Sequence, residues 1–146
     1  MSTRCYIGVV LENGEVEYIY SHWDGYLDGV GATLLDCHNT DEKVKLLVAF
    51  GDASAIYENT MPEPGQEHSY ENPVKGVSIY YHRDRGEDWG TVGTRTSKTE
   101  KDFWNDDGMW IEYQYLFKDG KWFVSDHGGE VQELSVALEN YLKENK

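Results

Sequence analysis

The sequence predicts an α+β fold, with an antiparallel sheet built from hairpins and helices packed on one side of it. Strand-like segments occur mostly as neighbouring pairs, and helical patterns lie between and after them. Two turn signals, Asn13-Gly14 and Asp119-Gly120, stand between runs rich in β-branched and aromatic residues. The 146 residues suit a single core, so we expect one domain over residues 1–146.

The first element is a hairpin, followed by two helices. Residues 4–11 and 16–22 are the paired strands, because Asn13-Gly14 between them accepts the positive φ of a tight turn. Residues 28–38 repeat apolar side chains at helical spacing. A second helix is predicted for residues 40–51, with acidic residues in the first turn, where the helix dipole favours them.

The middle of the chain is the least regular part. Proline, glycine and polar residues punctuate residues 52–76, which we interpret as a long surface loop that is functional or partly disordered. A third strand is predicted for residues 77–82 and a short fourth strand for residues 91–96.

The last third of the chain predicts a short helix, a hairpin and a final helix. Ser97 and Glu100 have the spacing of a capping box, which begins a helix that carries Phe103 and Trp104 inward. Residues 109–117 and 121–125 are the strands of the second hairpin, and the apolar stripe of residues 131–146 predicts an amphipathic helix.

The charge balance limits the classes of partner. Asp and Glu number 27 against 13 Lys and Arg, so the formal charge is −14. A protein that binds nucleic acid through its backbone needs clustered cations, so we expect no direct nucleic-acid binding. The acidity either maintains solubility or imitates nucleic acid toward a basic partner.

The cysteines and the termini indicate the compartment. Cys5 and Cys37 are too few and too far apart for a disulfide framework or a zinc site, which favours a reducing environment. No signal peptide or membrane-length apolar run is apparent. We expect a soluble, cytoplasmic protein without cofactor or membrane association.

Two similar motifs follow predicted strands. The first motif is residues 22–26 (HWDGY), and the second motif is residues 82–87 (HRDRGE). Loops that follow strands often carry function, since the scaffold fixes their position. The candidate ligand-binding residues in and beside the motifs are His22, Trp23, Asp24, Tyr26, His82, Arg83, Arg85 and Trp89.

An anion or nucleotide site is the interpretation that uses these residue types best. Arginine side chains match phosphate geometry, and exposed aromatic rings stack on bases. Arg83 and Arg85 bind one ligand only if the second motif is bent. The alternative is that both arginines pair with Asp84, Glu87 or Asp24 and fix the loops.

Catalysis and metal binding have weaker support. No serine stands in a nucleophile elbow, and no pair of histidines has the spacing of a known metal site. We therefore expect no catalytic and no metal-binding residues. A small phosphoesterase that uses His22, Asp24 and His82 is kept as an alternative.

Tyrosines recur on the predicted strands. Tyr18 and Tyr20 must share one face, as must Tyr113 and Tyr115. Such a surface is either half-buried in the sheet or an interface between protomers, which predicts a possible homo-oligomer.

The chain resembles a family of small phage and prophage proteins. The similarity covers most of the chain and is carried by the two motifs, by Gly51-Asp52 and by the segment from Leu116 to Trp122. Members of that family usually have proline where this chain has Leu27, and often cysteine where it has Ser21. The resemblance implies a phage-like origin and assigns no catalytic residue.

These observations favour a phage-type accessory binding protein, with a counter-defence role, that captures a small phosphorylated or nucleotide-like ligand. The host would be an infected or lysogenic bacterium. The alternative is an acidic inhibitor that mimics nucleic acid and blocks a basic, nucleic-acid-binding defence protein of the host.

Overall fold

The computed structural model of the protein describes residues 2–144, and they form an α+β fold, as the sequence predicts. The strands are β1 Cys5–Val10, β2 Val16–Ser21, β3 Ala53–Ala55, β4 Ile79–Tyr80, β5 Arg95–Ser97, β6 Tyr113–Lys118, β7 Lys121–Asp126 and β8 Gln132–Glu133. The α-helices are α1 Ala32–Cys37, α2 Asp41–Val48, α3 Tyr81–Arg85, α4 Trp89–Val92, α5 Glu100–Trp104 and α6 Leu134–Glu144.

Both predicted hairpins are confirmed. β1 pairs antiparallel with β2, and Gly14 in the connecting loop has a φ of +87°. β6 pairs antiparallel with β7 through Asp119 and Gly120, whose φ values are +52° and +79°. These left-handed conformations explain why Asn-Gly and Asp-Gly stand at the turns.

The sheet is mixed rather than antiparallel throughout, which corrects the prediction. Its order is β4-β3-β2-β1-β6-β7-β8, and β5 also pairs with β2. The pairs β1–β6 and β2–β3 are parallel. The β1–β6 pair joins segments about 100 residues apart, and no local pattern in the sequence predicts such a contact.

The two faces of the sheet carry different layers. On the first face, Cys5, Ile7 and Val9 pack against α1, α2 and α6 in the main core. On the second face, α5 packs its buried Phe103 against Tyr6 and other residues of the sheet. The expectation that helices pack on one side is therefore corrected: α5 covers the opposite face.

Helix boundaries depend on local capping. Thr40 caps α2 as its side chain accepts a hydrogen bond from the Lys43 amide at 3.2 Å. Residues 27–31 form a π-helical turn before α1, where the sequence predicted a regular helix. Thr99 rather than Ser97 caps α5, because Ser97 is held in β5 opposite Val16.

The second motif is helical rather than a loop after a long strand. The predicted strand 77–82 is reduced to β4, and the chain turns into α3 at Tyr81. The Asp84 carboxylate accepts the Tyr80 amide at 2.8 Å, and Gly86, with a φ of +80°, ends the helix. Side-chain contacts here override the strand preference of the aromatic run.

Other strands and helices also begin or end at residues that differ from those predicted. The predicted loop 52–76 contains β3 at its start. The strand predicted for 91–96 is split between α4 and β5, and the strand predicted from residue 109 begins at Tyr113. β8 precedes α6, and residues 145 and 146 of the predicted helix lie outside the described residues.

Candidate functional site

Arg83 of the second motif is held entirely by groups of the protein. Its guanidinium donates to both oxygens of Asp84 at 2.9 and 3.0 Å. It also donates to the carbonyls of Thr60 and Ser78 at 2.7 and 2.9 Å, and to the Met61 sulfur at 3.6 Å. Arginine has five N–H donors, and these contacts use all of them. These internal contacts favour the alternative in which Arg83 fixes the loop.

Asp84 extends this network to the long loop. Its side chain is 3% exposed and lies 3.3 Å from Nε2 of His68, which is 1% exposed. Nδ1 of His68 accepts the Val74 amide at 2.9 Å, so the proton of the neutral ring lies on Nε2. We call Thr60, His68, Ser78, Arg83 and Asp84 the Arg83–Asp84 clamp. It fastens the segment 60–78 to α3.

Arg85 and His82 of the second motif contact Glu87 of the same motif and the nearby rings of Tyr70 and Trp89. Arg85 lies 3.6 Å from the Glu87 carboxylate, and its guanidinium lies 4.6 Å from the centre of the Tyr70 ring. Nδ1 of His82 is 2.7 Å from the Glu87 carbonyl oxygen, and its ring contacts the exposed Trp89 edge to face. The alternative in which these charges fix the loops therefore describes this motif well.

The strands that precede the two motifs end in the same row of the sheet and run in opposite directions. Ser21, Ala53 and Tyr80 lie in one row across β2, β3 and β4. β3 is parallel to β2 and antiparallel to β4, so the chain leaves Ser21 and Tyr80 in opposite directions. This geometry argues against one pocket formed by both motifs.

The first motif is fixed to the N-terminal segment. The Gly25 amide donates to the Thr3 carbonyl at 2.8 Å, and the Gly25 carbonyl accepts the Tyr115 hydroxyl at 2.7 Å. A Cβ at Gly25 would lie 2.7 Å from the Thr3 oxygen, so only glycine fits. Asp24 beside it has a φ of +58°, and its carboxylate accepts the Tyr26 hydroxyl at 3.4 Å.

His22 and Trp23 form an exposed aromatic pair. Their ring centres lie 4.7 Å apart in an edge-to-face arrangement, and Trp23 is 43% exposed. Nδ1 of His22 is 2.7 Å from the Tyr20 hydroxyl. Burial and the positive charge of Arg4 both lower the pKa of His22. The ring is therefore mostly neutral at pH 7.

Arg4 is the arginine that sequence reasoning missed. Its guanidinium donates to the Ser2 hydroxyl at 3.4 Å and to the Met109 carbonyl at 3.5 Å. The other three arginines each pair with a carboxylate, whereas Arg4 has no such partner among the described residues. Its backbone lies between the first motif and β6, since its carbonyl accepts the Glu112 amide at 2.8 Å.

A strained turn lies beside Arg4. Met109 and Trp110 have φ values of +58° and +59°, and Trp110 is 84% exposed. Such a conformation costs about 1–2 kcal/mol for each residue that is not glycine. A groove of about 420 Å³ is lined by Ser2, Arg4, Trp110 and Glu112. Strain of this kind often marks a recognition element.

Most non-glycine residues with a positive φ in the described chain lie near Arg4, at the end of the sheet where β1 begins. Five non-glycine residues between 2 and 144 have positive φ. All but Asp119 belong to the first motif, to the turn at residues 109–110 or to the segment that follows β7. The four are Asp24, Met109, Trp110 and His127. His127 belongs to this end because its amide donates to the Glu112 carbonyl at 2.7 Å.

A partly buried ion pair between Arg95 and Asp52 contacts the turn at Met109. Arg95 contacts both carboxylate oxygens of Asp52, one of them at 2.9 Å, and donates to the Met109 sulfur at 3.1 Å. The Tyr20 amide also donates to Asp52 at 2.9 Å. Burial raises the pKa of Asp52, and these two donors oppose that shift. The pair links the turn to β2 and leaves Arg95 little capacity for a ligand.

The tyrosines of the strands are covered within one chain. Tyr6 and Tyr18 lie on the second face, where their hydroxyls donate to Asp106 at 3.4 and 2.6 Å. Tyr113 and Tyr115 belong to the main core on the first face. The shared faces are as predicted, but burial removes the basis for an interface formed by these tyrosines.

We call Arg4, His22, Trp23, Trp110 and Glu112 the Arg4 surface. It contains two of the predicted residues, His22 and Trp23, and three that the sequence did not indicate. Trp110 was assigned to a strand, although the turn-forming residues 105–108 before it signal a loop. The pairing of Arg4 beside Glu112 depends on the parallel β1–β6 contact.

Comparison with known proteins finds no match among protein-family models, curated proteins or solved structures. Within residues 2–144, no helix combines the length and the apolar character that crossing a membrane requires.

Proposed function

We propose that this protein binds a small phosphorylated, nucleotide-like ligand at the Arg4 surface. The observation that carries the proposal is a guanidinium with no ion-pair partner in the described chain, beside exposed aromatic rings. The ligand class is the one that the sequence suggested, and the position replaces the pocket expected at Arg83.

Arg4 supplies the contact for the anion. A guanidinium that is not neutralised within the protein can form paired hydrogen bonds to phosphate oxygens. Its present contacts are long, at 3.4 and 3.5 Å, so a phosphate oxygen would replace weak hydrogen bonds with strong ones. Arg83 and Arg95 offer no comparable capacity, because carboxylates already hold them.

Trp110 and Trp23 supply the contacts for a base. Stacking of a base on an aromatic side chain contributes about 1–3 kcal/mol. Trp110 is exposed by 84% and lines the same groove as Arg4. Trp23 contacts the ring of His22, and Arg4 is near enough to His22 to lower its pKa. An aromatic ring with an attached phosphate therefore matches the chemistry of the Arg4 surface.

Counter-defence in the bacterial cytoplasm is the biological setting that we propose. It follows from the resemblance to small phage proteins. Binding without turnover suits that role, because sequestering a nucleotide signal needs affinity and no catalytic group. The Arg4 surface combines one cation, a mostly neutral histidine and aromatic rings, a combination that favours binding.

Calorimetry with a panel of linear and cyclic nucleotides tests the proposal. We expect at least one nucleotide to bind, and Arg4→Ala to weaken its binding at least ~10-fold, as expected for loss of a charged hydrogen bond. Arg85→Ala is the matched control, since it removes the same charge from an exposed position of the second motif. Equal affinity of the Arg4 variant and the wild type would overturn the proposed position.

A second candidate function is inhibition by charge mimicry, which the net charge of −14 favours. A basic host protein would then bind the acidic surface in competition with nucleic acid. This candidate predicts an affinity that falls steeply with salt and does not depend on Arg4. Titration of a purified basic defence nuclease at two salt concentrations distinguishes it from nucleotide capture.

A further inference from the structure

We infer that the ligand is a phosphodiester, such as a cyclic nucleotide or a dinucleotide, and that Glu112 discriminates against terminal phosphates. This inference rests on the proposed function and concerns the same surface. It follows from the small number of cations there and from the carboxylate that lines the groove.

The Arg4 surface offers one guanidinium to an anion, and the Glu112 carboxylate lies in the same groove. Arg4 is its only arginine, and the nearby Arg95 is paired with Asp52. His22 contributes no full charge near pH 7, because burial and Arg4 lower its pKa. A phosphodiester carries a single charge, whereas a terminal phosphate carries about −1.5 to −2 at pH 7. Among phosphates, the singly charged phosphodiester is therefore the one that this surface disfavours least.

Glu112 adds a penalty for further negative charge. Its side chain lines the groove with Arg4, and its amide binds the Arg4 carbonyl at 2.8 Å. Glu112 and Arg4 line the same groove without an ion pair within 4 Å between them, so a ligand at Arg4 would also lie near the Glu112 carboxylate. The net charge of −14 acts in the same direction over a longer range. A diphosphate or triphosphate would meet repulsion without a second cation.

The exposed aromatic rings favour a phosphodiester that carries a base. Trp110 lines the groove with Arg4, and Trp23 contacts the ring of His22, whose pKa Arg4 lowers. A base joined to a phosphate at Arg4 therefore has the exposed Trp110 indole beside it. A dinucleotide brings two bases to this surface, whereas a cyclic mononucleotide and a mononucleotide with a terminal phosphate each bring one.

The test compares ligands that share a base and differ in the phosphate. Calorimetry is run with 3′,5′-cyclic monophosphate, the linear dinucleotide, the 5′-monophosphate and the 5′-triphosphate, in adenine and guanine series. We expect a phosphodiester of one series to bind at least ~10-fold more tightly than the triphosphate of that series. Tighter binding of the triphosphate overturns the inference and leaves nucleotide capture intact. Binding of none of them overturns the proposed function as well.

Glu112→Gln tests the discrimination separately. We expect this variant to bind the 5′-monophosphate about two- to five-fold more tightly, the range typical of one exposed charge interaction, and the cyclic form by a smaller factor. Unchanged selectivity would show that Glu112 does not discriminate. Trp110→Ala should weaken binding of the dinucleotide, and Trp89→Ala, which truncates an exposed indole of the second motif, is its matched control.

Discussion

The Arg83–Asp84 clamp and the Arg4 surface contain the same residue types and differ in how far their polar groups are satisfied. In the clamp, every guanidinium donor of Arg83 has an acceptor in the protein, and the Asp84 side chain is 3% exposed. At the Arg4 surface, a guanidinium without a carboxylate partner lies beside an indole that is 84% exposed. A dense charged motif can therefore be structural, while binding capacity lies where contacts are incomplete.

The largest effect that tests this comparison is expected at the clamp. Arg83→Ala leaves the buried Asp84 carboxylate without its cation, so we expect a loss of about 2–4 kcal/mol in the free energy of unfolding. Urea denaturation measures it, and the nucleotide affinity of the folded variant should be unchanged. Arg85→Ala is the control, with an expected change below about 0.5 kcal/mol.

An Arg83→Ala variant that keeps its stability and loses nucleotide binding would contradict the structural role of the clamp. The second motif would then be the binding site despite its internal contacts. Limited proteolysis gives an independent readout, because loss of the clamp should expose the segment 60–78 to cleavage before the rest of the chain unfolds.

A smaller change in the free energy of unfolding, this time an increase, is expected at the turn of Met109 and Trp110. Trp110→Gly relieves the positive φ and removes a side chain with few contacts, so we expect a gain of about 0.5–1 kcal/mol in the free energy of unfolding. Nucleotide affinity should fall because the stacking ring is lost. Thermal denaturation and calorimetry on the same sample measure both. A variant that is less stable would show that Trp110 is a packing residue.

The smallest predicted effect is a shift in the titration of His22. Burial and Arg4 lower its pKa from 6.5, so the folded state binds fewer protons than the unfolded state between the two pKa values. This term makes stability rise with pH up to about 6.5 and fall on acidification below it. NMR titration should show the pKa of His22 rising in Arg4→Ala and unchanged in Arg85→Ala. A phosphate bound at Arg4 should raise it too.

The hairpins were predictable from the sequence because their signals are local. Asn13-Gly14 and Asp119-Gly120 determine their turns whatever surrounds them, and Thr40 caps α2 through a residue three positions away. The helical second motif was not predictable in this manner. Its aromatic residues favour a strand, and the hydrogen bond from Tyr80 to Asp84 overrides that preference.

The Arg4 surface could be predicted only in part. The aromatic and histidine content of the first motif indicated His22 and Trp23, whereas Arg4 and Trp110 are far apart in sequence and have no motif around them. They meet because β1 pairs in parallel with β6. The charge pattern of the second motif was the stronger signal, and it marked a structural network.

The central position of β1 has a consequence for synthesis. Cys5 pairs with Tyr113, so β1 acquires its second neighbour only after residues 113–118 have left the ribosome. Until then one edge of β1, with its buried apolar side chains, stays open to other nascent chains, and folding depends on a slow, long-range closure. A chain truncated before residue 113 should therefore aggregate rather than persist as a shorter folded product.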